Sequence, residues 1–334
     1  MSAGLRRVLP ALGLFFLAPL VAEFLLGNIS VTMLGSLTIL APMYGGGALL
    51  IREVARRTGR GWPSILMLAL AYGVTEEAFM TQSLFNPHYL GLNLLQPAWL
   101  PALGIGLAWT LYVLALHTIW SISVPMILME SLVPERRNQP WLKNFGLTVT
   151  GVLFLLATVA SAMFSIRTDP HHFVAAPAQF AAAAAIVVAL ALLAFLLPRA
   201  SAARPRGAAA ARPAAPSPWL VGFASLAAGS VFMAAYMAIP WRCGWGSVAL
   251  NLLLALAAIA SIAVGSARTG WTSLHHLALA GGAALAYGIH AFFQLPSVGA
   301  NGAANRAGNV FFLLGALALI ALAARRTAAF HQAG

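Results

Sequence analysis

Ten apolar stretches, each about as long as a bilayer is thick, follow one another along this 334-residue chain. They lie near residues 8–27, 31–51, 62–85, 101–130, 144–166, 178–197, 219–239, 246–266, 272–293 and 309–324. A helix rises about 1.5 Å per residue, so about 20 residues cross a hydrocarbon core. Inside that core every backbone polar group needs a partner from the protein, which a helix supplies within its own segment. The pattern predicts an all-α, polytopic transmembrane helix bundle of ten spans with the lipid bilayer as its solvent.

Charge sets the orientation. Only 8% of the residues are charged, against about 25% in soluble domains. A net charge of +12 would suit nucleic acid, but the positive residues sit between apolar runs, as topology signals do. No nucleic-acid partner is expected. Of the 19 Lys and Arg, sixteen fall in one alternating set of connections; the other set holds only Arg167, Arg242 and Arg306. The bias predicts both termini in the cytoplasm. Arg6 and Arg7 before an apolar run resemble a signal peptide, but no A-x-A site follows, so the first span is read as retained. The Ala- and Arg-rich composition points to a multi-pass protein of a bacterial inner membrane. The single cysteine, Cys243, rules out an intramolecular disulfide framework and any all-Cys metal cluster.

One segment breaks the series. Residues 198–218, PRASAARPRGAAAARPAAPSP, interrupt an Ala run with Pro and Arg and read as a cytoplasmic linker. The linker divides a six-helix region, 1–197, from a four-helix region, 219–334, although helices from both can build one bundle. The loop 86–100, NPHYLGLNLLQPAWL, is expected at the outer interface or re-entering the membrane.

The candidate chemistry lies in a few ionisable residues inside the spans. Glu76 and Glu77 are adjacent in WPSILMLALAYGVTEEAFMTQSLFNP, in a chain with seven acidic residues. A carboxylate at bilayer depth costs roughly 2.5–3.5 kcal/mol on insertion scales, so the pair marks a functional site facing a polar cavity. They lie roughly 21–23 Å along their helix, toward the outer face. A turn of about 100° per residue keeps them from sharing one direction fully, so one faces the cavity and the other braces it. His117 stands in TLYVLALHTIWSISVP, on a stripe with Thr110, Leu114 and Ser121, ahead of a possible kink at Pro125. His290, in AYGIHAFFQLP, is at a depth close to that of the glutamates. Glu23 is a further buried acid able to face the same cavity. Glu53 with Arg57 reads as a solvated i,i+4 pair. Glu130 and Glu135 read as solvated, His275 and His276 as interfacial, and His171 and His172 as outer-loop residues. No buried lysine serves a retinal Schiff base, and no G-x-S-x-G, P-loop or H-E-x-x-H occurs.

An adjacent glutamate pair in one span with single histidines in later spans resembles the CAAX-protease and bacteriocin-processing (CPBP) family of intramembrane glutamate proteases. That family's first motif runs approximately E-E-x-x-F-R-G-x-L-F. Here it meets Glu76-Glu77-Ala78-Phe79-Met80-Thr81-Gln82-Ser83-Leu84-Phe85, with Met80 in the inner Phe position, Thr81 in the Arg position and Gln82 in the Gly position. The second motif, F-x-x-x-H, is matched at His117, with Val113 in the Phe position. The third, H-x-x-x-N, is His290 with Gln294 in the Asn position.

The resemblance implies a peptidase acting on a membrane-tethered peptide. Glu76 would be general base on a water, Glu77 its brace, and His117 and His290 the groups that hold the water or the oxyanion. It implies no cofactor. A divalent metal held by a carboxylate and two histidines is the alternative use of the same residues. A proton-coupled transporter with a Glu/His relay, or a non-catalytic scaffold, is the alternative for the whole chain.

Overall fold

The computed structural model describes residues 3–199, 213–238 and 243–333. Its helices follow the apolar runs. Helix α1 runs Ala3–Pro19 and continues through a π-helical turn, Leu20–Leu25. Helix α2 spans Val31–Arg57, α4 Leu107–Leu132, α5 Asn144–Thr168 and α6 Pro177–Leu196. Helix α3 is Trp62–Thr75, extended by the π turn Glu76–Met80. Beyond the linker come α7, Pro218–Ala238, α8, Gly244–Ser266, α9, Ser273–His290, and α10, Ala303–Ala333. The architecture is an all-α polytopic bundle. Most of the linker, residues 200–212, lies outside the described residues.

Eight of these helices are long and apolar enough to cross a membrane. The two that fall short are α3 and α9. Their apolar runs are interrupted by Glu76 and Glu77 in one and by His275, His276 and His290 in the other. Both are packed inside the protein, where their polar residues meet other side chains.

Burial separates an inner set of helices from an outer one. In the most apolar 18-residue stretch of α4, 67% of the residues are buried, whereas the same stretches of α5 to α8 and α10 are only 11–22% buried and present apolar faces outward. Helix α4 is the hub, touching α1, α2, α3, α8, α9 and α10. The helices on either side of the linker therefore form one bundle. Trp120 on α4 donates its indole N–H to the Ala283 carbonyl on α9 at 2.7 Å. Its ring lies parallel to Tyr287, with centroids 4.7 Å apart and 3° between planes. Helix α9 sits close to α7 because Gly282 has no side chain. A Cβ there would fall 2.3 Å from the Gly222 carbonyl oxygen, and small residues are what allow such helix contacts.

The connection from α3 to α4 differs from a simple surface loop. After α3, Gln82, Ser83, Leu84 and Asn86 are buried, as are Leu94, Leu95 and Ala98 farther along. A short hairpin follows, strand β1 (Trp99–Leu100) against β2 (Ile105–Gly106). Non-helical chain next to a bilayer is tolerable when protein covers it. The turn closes at Gly104, with φ of 64°. Helix α4 thus begins at Leu107 rather than near 101.

The end of the bundle where α2 meets α3 corrects the reading of Glu53 and Glu130 as solvated. Glu53 is fully buried and accepts the backbone N–H groups of Trp141 (2.7 Å) and Leu142 (3.1 Å). Arg52 beside it is also fully buried. Its guanidinium lies over the Trp141 ring, 3.2 Å from the centroid, and donates to the carbonyls of Arg137 and Gln139. Glu130 takes Arg56 through both carboxylate oxygens and lies 3.0 Å from Arg52 Nε. The i,i+4 spacing of Glu53 and Arg57 gives only a 3.7 Å contact. The loop after α4 folds back over α2 and removes these groups from water. Glu135 stays exposed, as expected.

Candidate functional site

Helices α1 to α4 each contain one π-helical turn, and each turn carries a polar residue of the same cluster. The turns are Leu20–Leu25 with Glu23, Ala41–Gly45 with Tyr44, Glu76–Met80 with the glutamate pair, and Leu116–Ser123 with His117. Three of them have a proline at hand: Pro19 just before the first, Pro42 within the second, Pro125 just after the fourth. A proline cannot supply its N–H to the regular ladder, so the helix is locally free to re-register. Such turns recur at functional sites.

In α3 the π turn settles how two adjacent glutamates serve one place. The Thr81 N–H bonds the Glu76 carbonyl at 2.9 Å, five residues back. More residues per turn means a smaller angle between neighbours than in an α-helix. Glu76 and Glu77 both reach His117 on α4. Glu77 Oε1 is 2.6 Å from His117 Nε2, and Glu76 Oε2 is 3.0 Å from His117 Nδ1.

The two carboxylates are not equivalent. Glu77 Oε2 accepts from the Thr81 hydroxyl at 2.9 Å and from the Ser83 hydroxyl. Ser83 in turn accepts the Trp109 indole N–H at 2.9 Å. Glu77 is thus held by two hydroxyl donors and by the His117 ring nitrogen. Glu76 Oε2, by contrast, is buried with no bond of hydrogen-bonding geometry, despite its closeness to His117. His117 Nδ1 is instead paired with Ser121 Oγ at 3.2 Å. The Tyr72 hydroxyl is buried next to Glu76, with no bond of strict hydrogen-bonding geometry.

Aromatic rings wall the imidazole. Tyr44 stacks on His117 at 6.0 Å and 19°, and Tyr72 meets it edge-on at 6.3 Å. The Tyr44 hydroxyl donates to Glu23 Oε1 at 2.5 Å, and Glu23 Oε2 accepts from Asn28 at 2.7 Å. Gly73 leaves room for the imidazole, since a Cβ there would stand 3.1 Å from the His117 Cβ.

Glu76, Glu77 and His117 are therefore brought together, and Glu23 stands behind Tyr44. His290 is not part of this group. It is buried near the end of α9 with Nε2 unpartnered, close to Gln294, which donates to the Leu26 carbonyl at 2.7 Å. The metal alternative changes accordingly. Among the described residues, the three that offer ligand atoms within 4.8 Å of one another are two carboxylates and one histidine, not one carboxylate and two histidines. That oxygen and nitrogen set suits a zinc-like ion with an open position. The unpartnered Glu76 oxygen is an atom that such an ion, or a water, would satisfy. Ser121 lies on the stripe read with His117, whereas Tyr44, Tyr72 and Ser83 escaped the sequence reading. A lone tyrosine or serine in an apolar helix has no spacing that distinguishes it.

Residues 12–201 match the profile of an uncharacterized membrane protein family. The chain belongs to that family. The matched region contains the glutamate pair, His117, Tyr44 and Glu23, and it ends inside the 198–218 segment, ahead of α7 to α10. No curated protein and no solved structure matches the chain. It is a multi-pass integral membrane protein.

Proposed function

We propose that this protein is a membrane-embedded hydrolase of the glutamate type, cleaving a peptide bond of a membrane-tethered substrate in a bacterial inner membrane. The observation that carries the reading is the unpartnered Glu76 oxygen, buried 3.0 Å from a histidine that Glu77 already holds. A carboxylate so placed has one open acceptor position, which is what a general base on water needs.

Glu76 takes a proton from the water as its oxygen bonds to the scissile carbonyl carbon. The oxyanion collapses, the carbon–nitrogen bond breaks, and the proton on Glu76 passes to the leaving amine. Glu77, with Thr81 and Ser83, holds His117 in one orientation. The Tyr72 hydroxyl, beside Glu76, is the donor we assign to the oxyanion in place of His290. Thr81, where the CPBP motif has Arg, acts here as a donor to Glu77.

The test is cleavage of a membrane-tethered peptide by purified protein in nanodiscs, with and without a chelator. Glu76→Gln keeps the shape and removes the base, and a loss of roughly 10²–10⁴-fold is expected. Undiminished cleavage by that variant refutes the assignment. Loss of cleavage on chelation moves the chemistry to a metal held by Glu76, Glu77 and His117. No cleavage, together with pH-dependent uptake that the variant abolishes, makes the protein a carrier.

A further inference from the structure

A second site lies at the inner end of the bundle, away from the glutamate pair. A cavity of about 400 Å³ opens there among the ends of α2, α3, α4, α9 and α10. Its volume is in the range of small-molecule sites. Two indoles, Trp62 and Trp271, wall it. His276 lies between them, 6.2 Å from the first ring and 6.1 Å from the second.

The charge of this cavity is positive. Its one acid, Glu130, is already taken by Arg56 and Arg52. Arg52, Arg56 and Arg57 stand against Glu53 and Glu130 in that cluster, which leaves one guanidinium in excess. Arg137 also lines the cavity, with no acidic partner among the described residues. Ser273 and His331 complete the mouth, bonded to each other at 2.8 Å. The start of α3 faces the same space. Gly61 provides no side-chain cap there, so that end also favours an anion.

We propose that this inner cavity binds a phosphate group, with Arg137 as its principal cationic contact and the two tryptophans as its walls. The chemistry fits an anionic phospholipid headgroup entering from the inner leaflet, since basic pockets between membrane helices on that side hold such headgroups. A soluble phosphate compound would use the same contacts. The site draws α9 and α10 into a role, although both lie beyond the matched family region.

Full-length protein purified in detergent and stripped of lipid separates the sources. Native mass spectrometry reads retention of phosphatidylglycerol against phosphatidylcholine, and thermal unfolding reads stabilisation by inorganic phosphate. Arg137→Gln is expected to cut binding about ten-fold, the effect of losing one charge-assisted phosphate contact. Arg325→Gln removes the same charge from the same face outside the cavity, and is expected to change nothing. If Arg137→Gln fails to fold, His331→Glu places a carboxylate at the mouth from an exposed helix end and is expected to abolish binding. Phosphatidylglycerol retention that follows this pattern identifies a lipid site. Phosphate stabilisation alone, with the same pattern, identifies a soluble ligand. Equal loss in the Arg137 and Arg325 variants, or no binding of either probe, overturns the proposal.

Discussion

Glu77 and His117 are 40 residues apart in sequence, yet their Oε1 and Nε2 atoms are 2.6 Å apart inside the bundle. Glu76 is equally buried but has an oxygen without a bond. The two glutamates should therefore separate in stability. Glu77→Gln disturbs the buried contact with His117 and the bonds from Thr81 and Ser83, and should cost about 1–3 kcal/mol. Glu76→Gln puts a neutral amide where a desolvated carboxylate stood and should be nearly neutral. Thermal unfolding of both variants in one detergent tests this, and equal costs would contradict the division between brace and base.

Arg52 is a keystone of the inner end, not a surface charge. Arg52→Met leaves Glu53 and Glu130 short of a partner and three loop carbonyls without a donor. A loss of about 3–5 kcal/mol is expected. Arg52→Lys should rescue little, since an ammonium cannot match the guanidinium fork or its stacking on Trp141. The comparison is of folded yield and melting temperature. Full rescue by lysine would mean that charge alone matters there.

Orientation is testable first with the native cysteine. Cys243 is exposed and sits at the start of α8, on the side that the charge bias assigns to the outside. A membrane-impermeant maleimide should label it in intact cells. A cysteine placed in the linker of a Cys243→Ser variant should react only after lysis. The opposite pattern would invert the topology.

Asp169, just beyond α5, ties the outer loops together. Desolvation works to raise its pKa, but hydrogen bonds from Asn86 Nδ2 at 2.6 Å and the His171 N–H at 2.7 Å hold it below the ordinary carboxylate value. A depressed pKa contributes stability that is fully present above the unfolded value and lost as pH falls through the folded one. Protease sensitivity of the 86–100 loop should thus rise below about pH 4. Asp169→Asn should show that looseness at all pH values, and an unchanged pH profile in that variant would rule out the tether.

The helices and the glutamate pair were legible because apolar length and an isolated charge in lipid are properties of local sequence. Burial at the inner end was not. Glu53 and Arg57 have the spacing of a solvated pair, and only the loop from Pro134 to Leu142, folding back over α2, reveals otherwise. His290 matched a motif by spacing, but spacing along α9 does not say which neighbour it faces. The start of α4 was misplaced because a two-residue hairpin strand is too short to break an apolar run.

The four π turns make the length of each helix matter to a single residue. Removing one residue from Glu76–Met80 would leave a span still long enough for the bilayer. The chain beyond would nonetheless be turned by about 100° and drawn in by about 1.5 Å. Hydropathy would not register that change, but the carboxylates would no longer meet the imidazole. In this fold a one-residue deletion is a more sensitive probe of the centre than many substitutions, and alignments that place gaps freely within apolar runs will blur the positions that matter most.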